Sequence, residues 1–210
     1  MESIVNIRTY ENLDFNEKEI LRYARCEGAS EDSDMVRLMR ECIDRLKCEQ
    51  VCSYKLSYRV LPILEKKEDG TLDFGIIKYK SYDLYKCLKD CDMAVFLAGT
   101  IGHNLDRIIY TATRLSPAKS IFYQAIGAER IETMLDTFME ELPSIIGEDF
   151  GREKVRLRPR FSPGFGDLPI DIQAEFLRIV EAKKRLGIAL NDSMLMSPSK
   201  SVTAIVGIYE

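Results

Sequence analysis

Two apolar runs set the terms on which this chain can fold. The segment DMAVFLAGTIG has no charged side chain after Asp92, and the closing strand-like stretch from Val202 to Tyr209 has none at all. Successive side chains on a strand point to opposite sides, so a run that is apolar at odd and even positions suits a strand covered on both faces. Such strands need a sheet around them and helices above and below.

The helices are written in the intervening sequence. Asn16 and Glu19 form a capping-box pattern ahead of Ile20, Leu21 and Ala24, with Gly28 as the stop. Apolar spacing predicts a second helix over about 33–47 through Met35, Leu38, Met39, Cys42 and Ile43. A short one follows at about 82–89 and another at about 104–114. Ser116-Pro117 then supplies a cap and a first-turn proline for the longest helix, with Ile121, Ala125, Ala128, Ile131, Leu135, Phe138 and Leu142 on one face. Gly127 inside it costs about 1 kcal/mol relative to alanine, which points to close packing. A last helix is predicted over about 169–186, with Ile172, Phe176, Ile179 and Val180 inward and Gly187 ending it. SYKLSYRVLPI and LDFGIIKY alternate apolar and polar residues on either side of EKKEDGT, whose Asp69-Gly70 predicts a β-hairpin between them. The expected architecture is α+β: a single domain, residues 1–210, with a mixed, largely antiparallel twisted sheet and several packed helices. Residues 1–90 hold the first helices and the hairpin, and 91–210 the remaining core.

Thirty basic against 34 acidic residues leave a net charge of −4, which provides no overall field toward nucleic acid or anionic membrane. The apolar runs are too short to span a bilayer and the start has no secretory pattern, so a cytoplasmic protein is expected. Cysteines at 26, 42, 48, 52, 87 and 91 then read as reduced thiols. They are either single core thiols or, for Cys48, Cys52, Cys87 and Cys91, a four-thiolate metal site. His103 reads as a helix-start residue rather than a catalytic one, and no independent catalytic set accompanies it.

The stretch REKVRLRPRFSPGFGDLP, residues 152–169, carries the strongest chemical signal. On a strand, Lys154, Arg156, Arg158 and Arg160 point one way and Val155, Leu157 and Phe161 the other. The cations form either a solvated face or one wall of an anion site. Ser162, Pro163, Gly164, Phe165 and Gly166 follow, placing two glycines around an aromatic ring. An arginine fork beside such a turn suits a small ligand with a carboxylate and a flat ring.

RFSPGFGDLP resembles the Arg-x-x-x-Gly-Tyr segment by which activation domains of cobalamin-dependent methionine synthases bind S-adenosylmethionine. Downstream, Leu190-Asn191-Asp192-Ser193 with Met196, Pro198, Ser201, Val202 and Thr203 is similar to a second segment of that family. The resemblance implies that residues 91–210 are a ligand-binding core, with Arg160 gripping the ligand, Gly164 and Phe165 in the glycine and tyrosine positions, and Ser162 offering backbone contacts. Phe165 lacks the tyrosine hydroxyl. Glu129, Glu132 and Glu153 are candidates for the acidic contacts to the ligand amino group. The implied role is to support reductive remethylation of cob(II)alamin, the cobalamin being carried by a separate corrinoid protein or split synthase subunit and the electron coming from a flavoprotein. An alternative of another class is a non-catalytic adaptor of the same fold that docks on a corrinoid protein without the methyl donor.

Overall fold

The computed structural model describes residues 4–210. In chain order the elements are β1 (Val5–Tyr10), α1 (Glu17–Tyr23), α2 (Asp34–Cys48), β2 (Tyr54–Pro62), β3 (Glu65–Lys66), β4 (Thr71–Asp73), β5 (Lys78–Lys80), α3 (Tyr82–Leu88), β6 (Met93–Thr100), α4 (Asn104–Leu115), α5 (Pro117–Phe150), β7 (Arg156–Leu157), a 3-10 turn (Ile170–Ile172), α6 (Gln173–Ile179), α7 (Ala182–Leu186), β8 (Ala189–Leu190), β9 (Met196–Ser197) and β10 (Ser201–Tyr209). They build one α+β domain. Its main sheet has the order β1-β2-β6-β10-β7, and every pairing in it is antiparallel.

The two apolar runs occupy the sheet interior. All eight residues of β6 are buried between β2 and β10. Alternate residues feed different cores: Val95, Leu97, Val206 and Ile208 meet Leu135, Phe138, Leu142 and Ile146 of α5 on one face. Phe96, Ala98 and Ile205 meet Leu84 and Leu88 of α3, Phe176 of α6 and Leu186 of α7 on the other. A third core joins α1, α2 and α4 to the first half of α5. With 34 residues, α5 is about 50 Å long, so a single helix serves two cores. Each fully buried phenylalanine, such as Phe96 or Phe138, contributes roughly 2–3 kcal/mol of transfer free energy.

Close packing at Gly127 is as expected: a Cβ there would lie 2.8 Å from both Leu105 Cδ2 and Lys200 Cε. Elsewhere tertiary packing moves the local assignments. Ile121 is 56% exposed while Phe122 and Tyr123 turn inward, because the first turns of α5 are gripped by α2 and α4. In α2, Met35 is exposed and Val36 and Leu46 take inward places. Asn16 does cap α1, accepting from Glu19 N–H at 3.2 Å. That helix stops five residues before Gly28, with Arg25 in the left-handed region and Cys26 N–H returning to the Leu21 carbonyl. Ser116 stands at the N-cap of α5 without a side-chain hydrogen bond.

The expected β2 hairpin is not formed. Both edges of β2 are taken by β1 and β6, with Ile7 opposite Ser57 and Val60 opposite Val95. The Asp69-Gly70 turn does form, but between the short β3 and β4 of a separate three-stranded sheet; Asp69 Oδ1 accepts from Thr71 N–H at 3.0 Å. The predicted 169–186 helix is broken: Glu181, at φ 50°, separates α6 from α7, and the bend lets Ala182 and Leu186 reach the core over β2 and β6. Among the described residues no helix is long and apolar enough to cross a membrane.

Candidate ligand turn and its arginine

The ladder between β7 and β10 contains a surplus residue. Leu157 lies opposite Ile208, and Phe161 bridges Ile205. Four steps along the first strand thus match three along the second. This is the count of a β-bulge, with Pro159 and Arg160 together opposite Val206. Before it, Arg158 N–H donates to the Gly207 carbonyl at 2.9 Å; after it, Phe161 and Ile205 exchange backbone bonds of 2.9 and 2.7 Å.

The bulge shifts the period of two by one residue, and that corrects the expected common face of the four cations. Lys154 and Arg156 are exposed. Arg158 stays on the α3 side, where its partly exposed guanidinium pairs with the exposed Asp90 at 2.8 Å and lies 4.5 Å over the Tyr209 ring, a charge balanced at the surface. Arg160 turns to the α5 side. Its Nη2 pairs with Glu132 at 2.7 Å and Asp136 at 3.2 Å, while its Nη1 is buried with no hydrogen-bond partner.

Ser162 to Phe165 form a tight turn in which Phe165 N–H donates to the Ser162 carbonyl at 3.0 Å. Proline at the second position and Gly164 at φ 89° in the third are what a type II turn demands. The Ser162 carbonyl is therefore committed to the turn, and its hydroxyl donates to the Thr203 carbonyl at 2.7 Å. Gln173 holds Thr203 from α6, its Nε2 donating to Oγ1 at 2.9 Å, so the turn is fastened to β10 and α6 together. The Phe165 ring is 58% exposed and stands edge-on to Phe161, with centroids 6.3 Å apart.

Asp167 closes the turn against α3, accepting from Ser81 Oγ, from Tyr82 N–H at 2.7 Å and from Asp83 N–H at 3.2 Å. The Ser81 hydroxyl, then the Tyr82 N–H, hold its carboxyl below the ordinary 3.8. A depressed carboxyl stabilises the fold fully above its unfolded value and loses that contribution as pH falls through the folded one. Asp167→Asn should therefore lower Tm at neutral pH, with the difference from wild type shrinking as pH falls below the unfolded carboxyl value of about 3.9. Thermal melts across pH test this; a difference of constant size would refute it.

Of the acidic candidates, only Glu132 reaches Arg160. Glu129 is spent in a buried pair with Arg130, and Glu153 is exposed at the far end of the segment. Asp136 was missed by sequence reading, although its position one turn after Glu132 on α5 puts the two carboxylates on one helix face. His103 is exposed at the N-cap of α4. All six cysteines are free thiols, and no group of three or more metal-ligating side chains converges among the described residues.

No protein-family model and no curated protein matches the chain. Among solved structures it is similar to the crystal structure of the MetH reactivation domain bound to AdoHcy, with a TM-score of 0.73 over 97% of this chain and 78% of that one, at 15% sequence identity. The likeness is one of fold.

Proposed function

We propose that this protein binds S-adenosylmethionine and its demethylated product at the Arg160 turn, and that it acts as a reactivation module on a separate corrinoid-carrying protein. One observation carries the reading: the bulge delivers Arg160, and Arg160 alone among the cations of its segment, to the paired carboxylates of Glu132 and Asp136. An amino-acid headgroup is a zwitterion. An arginine fork suits its carboxylate, and Glu132 and Asp136 suit its ammonium. The exposed Phe165 ring offers a face for a flat base. The similar fold of a domain bound to AdoHcy supports the same choice of ligand class.

In this role the bound sulfonium supplies the methyl group for remethylation of cobalt on the partner, with a flavoprotein supplying the electron. The chain's own residues bind and orient the donor. The rigid turn, tied to Thr203 and Asp167, fixes where the ligand lies without an ordering cost on binding.

Isothermal titration with S-adenosylmethionine and S-adenosylhomocysteine tests the reading. Saturable heat is expected for wild type, and Arg160→Ala should weaken binding about 10- to 100-fold, the worth of hydrogen bonds to a charged group. Absence of heat up to millimolar ligand would sink it. A second reading, a docking adaptor that does not bind the methyl donor, is favoured by the occupation of Arg160 Nη2 by two carboxylates of the same chain. It expects co-purification with a corrinoid protein and no ligand heat.

A further inference from the structure

The bend between α6 and α7 opens a groove on the sheet face opposite Glu132 and Asp136. It has a volume of about 440 Å³, within the range of small-molecule sites. Its accessible apolar lining is Ala174 of α6 with Ala189 and the half-buried Leu190 of β8, over Leu177 and Ile188, which are themselves buried in the core. At its rim stand Arg178, Lys183 and Lys184. The one carboxylate there, Glu181, is held by Arg185 at 2.8 Å and approached by Lys184 at 4.0 Å. Neither Arg178 nor Lys183 has an acidic partner within 4.0 Å among the described residues. A chain of net charge −4 thus presents a local cationic rim around an apolar concavity.

We infer that this groove is a second binding site, for a small amphipathic carboxylate whose apolar tail lies over Ala174, Ala189 and Leu190 and whose charge meets Arg178 and Lys183. The apolar lining selects a tail, since burying it releases water at no polar cost. The rim selects the sign of the head, because an anion neutralises two unpaired cations while a cation adds to their repulsion. The long stems of Arg178 and Lys183 extend the apolar wall and carry their charges to its edge.

Decanoate is the probe, with decyltrimethylammonium and decanol as controls, titrated into the full chain by calorimetry. Saturable one-to-one binding of decanoate is expected, with decanol weaker and the cation not bound. Arg178→Glu and Lys183→Glu, both at exposed positions, should each weaken decanoate about tenfold, and Ala174→Trp should abolish it by filling the groove. Melting curves confirm that the variants fold, and their S-adenosylmethionine heats should match wild type, which separates this site from the Arg160 turn. Equal uptake of the cation, non-saturating uptake, or decanoate affinity unchanged in all three variants overturns the inference.

Discussion

Arg130→Met should destabilise the protein by about 3–5 kcal/mol, the cost of leaving a buried charge without its partner. Arg130 and Glu129 are adjacent on α5, with 0% and 2% of their side chains exposed, and pair at 2.5 Å. The guanidinium also donates to the Leu13 carbonyl at 2.7 Å and to the Asp14 carbonyl, and lies 3.9 Å over the Phe15 ring. Glu129 Oε1 accepts from Thr133 Oγ1 at 2.8 Å and from Asn16 N–H at 2.9 Å. The pair is the rivet that holds the segment before α1 against the long helix. Removing the arginine strands the carboxylate and two carbonyls at once. Glu129→Leu combined with Arg130→Met should lose less than the two single changes summed, because no charge is then left buried. Urea denaturation of the four proteins measures this, and a loss under about 1 kcal/mol for Arg130→Met would contradict the account.

Gly207→Ala is expected to be the second costly change. A Cβ at this position in β10 would lie 2.5 Å from Cys91 Sγ, 2.6 Å from Leu88 Cδ2 and 3.2 Å from Arg158 Cγ. The overpacking should cost about 1–3 kcal/mol, more than the few tenths to about 1 kcal/mol gained by restricting the unfolded chain. Cys91→Ala in the same chain removes the sulfur from the contact and should restore part of the loss, the Leu88 contact remaining. Wild-type stability for Gly207→Ala would show that the packing yields freely. The geometry also explains Cys91: burial pushes its thiol up, and it fills the space that a glycine in the neighbouring strand leaves, as a small core residue does.

Where a sequence signal is local and strong, the fold follows it. The uniform apolarity of β6 places it at the sheet centre, and Asn16 accepts the N–H three residues on, capping α1 as its pattern predicts. The failures occur where partners distant in sequence compete for one element. The alternation in SYKLSYRVLPI is compatible with several strand partners, and β1 and β6 cover both edges of β2 before a hairpin can. The 169–186 segment has helical spacing throughout, yet Ala182, Leu186 and Ile188 gain burial only if the chain turns at Glu181.

The candidate site divides the same way. The order Ser-Pro-Gly-Phe determines a tight turn by itself, since proline presets one dihedral and glycine permits φ 89° at the next position. The alternating cations determine only that the preceding segment is extended. Which face each cation takes is decided by the count of residues between two pairings with β10, and that count is a property of both strands. Local periodicity keeps Arg160 beside Arg158; the bulge sends it across the sheet to Glu132 and Asp136 on α5. The arginine was legible from its turn, and its two carboxylates only from the register that brings α5 and β10 together.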